Sequence, residues 1–539
     1  MIKYIERYPV LSLLLFVIVM LGFTVGSIPV SIMEARNFIT AREMITDGNW
    51  ILTTMNGIAR YEKPPLPSWA ITVFGLVFGI KSVLALRWPA LLCLAGIGIT
   101  NFLLSKKLDL TKSHSLINGF ISITSFYIIG IALEAPSDIF THTLMLVAVY
   151  QLYDILKNEK VSFIRAVLFI LFLCASLLSK GPVSLYIVFL PFLIAYGIVY
   201  KFKGGVLFFL RLISLTVLGI VIGGSWYLYV YLMDSETLRE ITTTEANNWV
   251  NYDVRPFYYY WSFFTQSGFW TIAALISLIY PYLKTRVSNL KAYQFSFFWT
   301  IFGVILLSVI PEKKSRYLMP VLIPLAINIG FYIEYIMREF KNFKTKKETL
   351  PVYIQFGILG IIPIALSILS LSIDMEFSKL RMALLIISIL ITSILIIREL
   401  IRKNIKQVFY LSLLFMLCIG LFGIPVMKTP VKDNYKPVSE LKHQDLPIYR
   451  IDYIAPEVVY NFGEKIICIQ SKDGYELPGE QQFLVLEYET DISEVEILNK
   501  LYTIEFINTY DLNPSDKSSS QYNERLINRL YKFTLKDIY

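Results

Sequence analysis

The sequence predicts a polytopic α-helical membrane protein of about thirteen transmembrane helices that ends in one soluble α/β domain. Apolar residues make up 55% of the 539 residues and charged residues 17%, and mean hydropathy is +0.57, whereas an ordinary soluble domain carries about 25% charged residues. Apolar runs near the ~20 residues that cross a bilayer recur from Tyr8 to Pro425. Past Pro425 the runs become short, mixed in charge and rich in β-formers. The expected division is a membrane domain over 1–428, with a large first outer loop at about 31–84, and a soluble domain over 429–539.

A net charge of +9 raises the question of nucleic acid, but the basic residues form no stripe on one element. They sit in short connectors, from Lys3 and Arg7 through Lys106 and Lys107, Lys201 and Lys203, Lys346 and Lys347, to Arg402 and Lys403. Taking every second connector as cytoplasmic satisfies the positive-inside rule throughout. The charge therefore reports orientation, and no nucleic-acid partner is expected.

The same rule orders the elements. Leu66 to Ile80 is apolar but short, and counting it as a span would turn the basic stretch 106–112 outward. It is read as a helix lying at the outer membrane border. The spans are then 9–30, 85–105, 115–133, 138–155, 165–179, 182–200, 206–231, 266–283, 293–310, 317–337, 352–373, 381–398 and 408–425. An odd number places the C-terminal domain outside. The first segment is too long for a signal peptide and shows no small-residue cleavage site, so it reads as an uncleaved anchor. Three of the four cysteines, Cys93, Cys174 and Cys418, lie in spans, and Cys468 stands alone, so no disulfide framework is implied.

Polar residues gather in the outer loops. In the first of these, Phe38, Ala41 and Ile45 recur at helical spacing against Arg36, Arg42 and Glu43, which predicts a helix in the interface ended by "DGN". "EKPPL" opens a second helix with its prolines in the first turn, leaving Glu62 and Lys63 just ahead of it. Further loops hold "EAPSD" (134–138), "SKGP" (179–182), "NYDVRPFYYYW" (251–261) and "PEKKSRYLMP" (311–320). Lys81, Arg87, Lys379 and Arg381 read as interfacial anchors. Lys63, Lys180, Arg255, Lys313, Lys314 and Arg316 lie on the side that the positive-inside rule depletes, and a phosphate is the simplest reason for them. Asp138 and His142, four residues apart, share a helix face at the border; Asp138 reads equally as a satisfied internal pair or as an acid-base group, and His142 as the pair.

An enzyme facing outward has no nucleotide pool and must take activated groups from the membrane. A polyprenyl-phosphate sugar fits, because its anomeric carbon carries a phosphate leaving group. Transfer from it needs cations on the phosphate and a carboxylate for the acceptor's proton or the oxocarbenium-like centre; Glu34, Glu62 and Asp138 supply carboxylates. There is no Asp-x-Asp metal motif, P-loop or Gly-rich dinucleotide turn, and three histidines without a metal-binding spacing argue against zinc. No cofactor or metal is expected.

The ordered motifs "MEARNFITAREM", "GNW", "NG", "YEKPPL", "SKGP" and "KKSRYLMP" make the chain similar to the GT-C superfamily of integral membrane glycosyltransferases, in particular the bacterial relatives of protein O-mannosyltransferases and of the lipid A aminoarabinose transferase. The resemblance covers nearly the whole membrane part. It implies a GT-C-like fold of thirteen spans in the bacterial inner membrane, an active site in the first periplasmic loop, inverting transfer from a polyprenyl-phosphate sugar, and a periplasmic C-terminal domain. The family's Asp-Glu-x-Arg falls on Met33, Glu34, Ala35 and Arg36, so its first acid is missing and the key carboxylate is either Glu34 or Asp138. The resemblance assigns Tyr61, Glu62 and Lys63, Lys180, and Lys313 with Tyr317 and Pro320 to the donor phosphate, beside Arg36, Arg255 and Arg316.

The acceptor class stays open among an envelope glycolipid such as lipid A, another glycan and a protein hydroxyl. A flippase for a polar lipid is the alternative; it calls for ionisable residues at mid-span, and few spans hold any. A purely structural assembly subunit is a third reading. In the soluble domain "QQFLVLEY" and "LYTIEFIN" read as strands, and "SEVEILNKL" and "NERLINRLYKF" as helices.

Overall fold

A computed structural model provides the fold and describes residues 2–134, 136–372, 379–426, 435–471, 474–488, 496–515, 517–519 and 522–536. By backbone contacts the chain divides into two compact units, Met1–Ile28 with Tyr61–Met427 and Pro29–Arg60 with Lys428–Tyr539. Most of the first loop thus groups with the C-terminal segment. The boundary expected at 428/429 lies outside the described residues.

The first unit is helical. Among the described residues ten helices are long and apolar enough to cross a membrane: Pro9–Ser27, Val83–Lys107, Pro136–Asn158, Phe163–Lys180, Val206–Met233, Leu290–Val309, Ser315–Asn342, Lys346–Ile368, Leu380–Ile401 and Ile405–Val426. Lys112–Thr124 and Phe126–Glu134, bent by 50° at Ser125, make an eleventh if they are one span. The other two apolar segments hold shorter helices. Leu185–Val199 follows Pro182, and the stretch 266–283 is broken at Gly268, whose φ is 63°, and again before Tyr280–Leu283. Leu66–Phe78 is a 13-residue helix, short as its sequence suggests; Pro65 caps it and Pro67 sits in its first turn.

Inside the bundle, helices are tied by amides and hydroxyls as well as by apolar packing, which suits a setting where hydrophobicity alone gives little drive for association. Asn101 donates to the Ser122 hydroxyl at 2.7 Å and the Ile323 carbonyl at 2.9 Å, and Asn118 to the Ser105 hydroxyl at 2.8 Å. Arg87 departs from the snorkelling expected of it. It is buried and donates to the carbonyls of Val25 and Ile28. The helix Pro9–Leu21 ends just before the turn Val25–Ser27, and carbonyls freed at such an end require donors that lipid cannot supply.

The second unit holds a five-stranded sheet in the order Ile467–Cys468, Ile448–Arg450, Gln482–Glu487, Ile527–Leu535, Tyr502–Asp511. The first two pairings are parallel and the last two antiparallel. The strands expected from "QQFLVLEY" and "LYTIEFIN" are present, and Glu496–Leu501 is helical, with 493–495 outside the described residues. "NERLINRLYKF" is a strand after a short 3-10 turn, not a helix. It lies between two neighbours, and the ladder on both sides outweighs its weak helical periodicity.

The first-loop helix, Ile32–Thr46, ends at Asp47 as "DGN" predicts. It packs against the protein: Ile39 joins the core around Val458, Val459 and Leu484, and Phe38 lies 5.5 Å from the ring of Tyr460. Arg42 donates to the carbonyls of Val459 and Glu464. The hairpin Thr54–Met55/Ile58–Ala59 turns through Asn56 and Gly57, both with positive φ, 57° and 77°, as a primed two-residue turn demands. Asn56 also exchanges two hydrogen bonds with the backbone of Ile466, at 2.9 and 2.7 Å.

Candidate functional site

Within the first unit, Pro136–Asn158 and Phe163–Lys180 form a hairpin. Asp138 stands in the first turn of one helix and Lys180 in the last turn of the other. Each charge is matched to its helix end, since acids are favoured at N-termini and cations at C-termini. The two side chains form a buried ion pair through Asp138 Oδ1. Asp138 Oδ2 is buried and has no hydrogen-bond partner among the described residues. His142 lies behind, its Nε2 4.0 Å from Oδ1 and its Nδ1 buried and without a hydrogen-bond partner among the described residues. Lys63 is a further cation acting on Asp138. Gly181 ends the helix with φ 73° and ψ −156°, a conformation reserved for glycine, and donates to the Leu177 carbonyl at 2.7 Å.

Lys180 also reaches Tyr317, its ammonium 5.3 Å from the ring centroid. Tyr317 donates to Glu312 Oε2 at 3.2 Å, and Lys314 pairs with the other oxygen of the same buried carboxylate. Arg316 lies over the Tyr317 ring at 5.6 Å with its Nε buried and without an acceptor among the described residues. Lys313 folds back onto its own loop: its ammonium donates to the Ile310 carbonyl at 2.6 Å, and burial holds it below the usual lysine range. The segment 253–255 pairs with 311–313 through an antiparallel bridge at Val254 and Glu312, with Arg255 N–H to the Pro311 carbonyl at 3.3 Å and Lys313 N–H to the Asp253 carbonyl at 3.0 Å. The Arg255 guanidinium is half exposed and 3.6 Å from Asp253 Oδ1.

Tyr61 is buried and donates to Asp234 Oδ2 at 3.2 Å; burial, with this bond, pushes its hydroxyl up to about 12. Its ring meets the edge of Trp226 at 6.4 Å. Asp234 at the same time caps the helix Ser235–Asn251 by accepting from Thr237 N–H. The stretch Tyr61–Lys63 is thus anchored to the end of Val206–Met233. Glu62 is exposed.

One connected set therefore joins Tyr61 and Lys63, Asp138, Lys180, Tyr317 and Arg316 with the 253–255 and 311–314 loops. Glu34 and Arg36 belong to the other unit. Glu34 is buried and accepts from the Ser31 N–H in a capping box, while Arg36 Nε is buried without an acceptor among the described residues. Two acids were overlooked in the sequence. Glu312 lies inside "PEKKSRYLMP", read there only for its cations, and Asp234 opens "DSET" directly after a long span, a helix-cap signature. Among the described residues no three His, Cys, Asp or Glu side chains lie together in a metal-holding group.

Comparison with known proteins gives the same fold. ArnT from Cupriavidus metallidurans matches at TM-score 0.65 with 13% identity over 98% of each chain, in the apo state. The structure of that protein bound to undecaprenyl phosphate matches at 0.63, with 13% identity over 98% of this chain and 97% of the other. By sequence, an uncharacterised protein of Aquifex aeolicus is 24% identical over 296 residues, 53% of this chain and 56% of its own length. The undecaprenyl phosphate-alpha-4-amino-4-deoxy-L-arabinose arabinosyl transferase 1 of Proteus mirabilis is 26% identical over 349 residues, 62% of this chain and 61% of its own. The chain thus spans about three-fifths of the length of the curated relatives it matches. No family model matches. The chain is a multi-pass helical membrane protein of ArnT-like fold with a C-terminal sheet domain, and its resemblance to the GT-C superfamily, the aminoarabinose transferase in particular, is supported.

Proposed function

We propose that the chain is an inverting glycosyltransferase that moves a sugar from a polyprenyl-phosphate donor, of the undecaprenyl-phosphate type, to an envelope acceptor at the periplasmic face of the bacterial inner membrane. The observation that carries this reading is the buried Asp138 carboxylate, engaged by Lys180 on one oxygen and, among the described residues, unpartnered on the other, with Lys63 acting on it. A buried oxygen without a partner is costly, and an acceptor hydroxyl would satisfy it. The ArnT-like fold, solved in one relative with undecaprenyl phosphate, supports a lipid-linked donor.

In this reading the acceptor oxygen attacks the anomeric carbon while its proton passes to Asp138 Oδ2. The bond from that carbon to the phosphate oxygen breaks, and its electron pair leaves with the phosphate. Lys63 and Lys180 stabilise the charge gained there, which is where fixed cations act most strongly. Asp138 is preferred over Glu34 as the carboxylate, because Glu34 already accepts the N–H of its own helix cap. Arg255, Lys313, Arg316 and Tyr317 shape the far wall, with Lys313 held by its own loop.

A radiolabelled polyprenyl-phosphate sugar, offered with envelope lipids and glycans to the purified chain, tests this. Lys63→Ala and Asp138→Asn should abolish transfer in protein that still elutes as a single folded species, while Glu34→Gln retains part of it. Full transfer by both Lys63→Ala and Asp138→Asn would overturn the site, and flipping of the lipid without transfer would overturn the reaction class.

A further inference from the structure

At the end of the bundle away from Lys63 and Asp138 lies a cavity of about 440 Å³ that the proposed reaction does not use. Helix Leu290–Val309 separates the two places: Arg286 precedes its start, Lys313 follows its end, and twenty residues of helix rise about 30 Å. Its lining combines apolar residues, among them Ile276, Ile279 and Pro351, with the cations of Arg286 and Lys347. We propose that it binds the headgroup of an anionic phospholipid from the membrane leaflet at that end, with the first part of an acyl chain against the isoleucines.

The charges favour an anion. Arg286 is held in place by donating to the Tyr282 carbonyl at 2.7 Å and by lying 4.1 Å over the Tyr282 ring, and the Arg338 guanidinium fixes its carbonyl at 2.7 Å. Its acidic neighbour, Glu348, is 3.7 Å away and also accepts from Thr345 at 2.9 Å, so one carboxylate faces two cations at the cavity. Exposed Lys341, Lys344 and Lys346 continue the basic rim along the chain. A free sugar phosphate or nucleotide would meet the charges equally well, but would leave the apolar lining residues uncovered. Basic pockets between spans are where anionic headgroups gain most from the surface charge.

Native mass spectrometry of the full chain, taken from nanodiscs of mixed dioleoyl phosphatidylglycerol and phosphatidylcholine, tests the proposal. The unaltered chain should retain phosphatidylglycerol, and Arg286→Glu with Lys347→Glu should lower that occupancy about tenfold or more, each charge near the surface contributing about fivefold. Lys160→Glu with Lys203→Glu makes the same change of net charge elsewhere and should leave it unaltered. Lys347→Ala and the cavity-filling Ile279→Trp read the same site without touching the bonds of Arg286, and each should lower retention. Equal retention across all of these variants, or displacement of the lipid by 10 mM glycerol phosphate, would overturn the proposal.

Discussion

The Lys180 ammonium and the Asp138 carboxylate pair where the last turn of one helix lies beside the first turn of the next. Asp138 is buried and Lys180 largely so, and each neutralises a charge that would otherwise lie in a low dielectric. Asp138→Asn alone or Lys180→Met alone leaves its partner uncompensated and should cost about 3–5 kcal/mol of stability. The double variant removes both charges and should melt closer to the unaltered protein than either single variant, while sugar transfer stays absent. Thermal melting in detergent beside the transfer assay separates the two effects.

The Tyr61 bond to Asp234 supplies a pH signature. Burial and the acceptor raise the hydroxyl from 10.0 to about 12, so the folded state holds its proton more tightly than the unfolded chain. The stabilisation is complete below pH 10 and is lost as pH rises through about 12. Tyr61→Phe should lower stability by about 1 kcal/mol at pH 8, and the gap between the two proteins should shrink above pH 11. Denaturation at both pH values measures it; a constant gap would separate Tyr61 from this titration.

Glu43 organises the first-loop hairpin. Its carboxylate accepts from the Thr54 hydroxyl at 2.6 Å, Asn56 N–H at 2.7 Å and Gly57 N–H at 3.2 Å. Glu43→Gln sets an amide donor against these donors and should cost about 1.5–3 kcal/mol, the range for a hydrogen bond to a charged group. Faster proteolytic cleavage between residues 49 and 58, with the remaining chain resistant, is the expected readout.

Most of the spans, and the loops whose cations come together, were legible because each rests on a local property: length of an apolar run, and cations on a side that usually lacks them. Lys63, Lys180 and the adjacent pair Arg316 and Tyr317 come from three separate stretches of sequence and do lie in one connected set. What escaped the sequence depends on partners far along the chain. Arg87 looks like any border cation until the carbonyls of Val25 and Ile28 are placed beside it. Phe38 and Ala41 mark an apolar helix face, but not whether lipid or Tyr460 covers it. Ile527–Leu535 became a strand because two neighbours claimed its backbone. Asp234 and Glu312 likewise show their roles only through their partners, the Tyr61 hydroxyl for one and the Lys314 ammonium with the Tyr317 hydroxyl for the other.

Gly181 tests whether the backbone of "SKGP" matters apart from its lysine. Its φ of 73° with ψ of −156° is a conformation that a side chain strains by about 1–3 kcal/mol, and a Cβ there would come within 2.9 Å of the Tyr227 hydroxyl. Gly181→Ala removes no charge and no hydrogen-bonding group, yet it must shift the helix end that carries Lys180, or Tyr227, or both. If Lys180 meets the leaving phosphate as proposed, displacing its charge by about 1 Å can cost about a hundredfold in rate, so transfer should fall far more than thermal stability does. Gly224→Ala is the control, because that glycine lies inside the long helix Val206–Met233 and has nothing within 4 Å of the added carbon; it should keep both activity and melting temperature. If Gly181→Ala transferred sugar at the unaltered rate, the position of Lys180 would not be set by this turn.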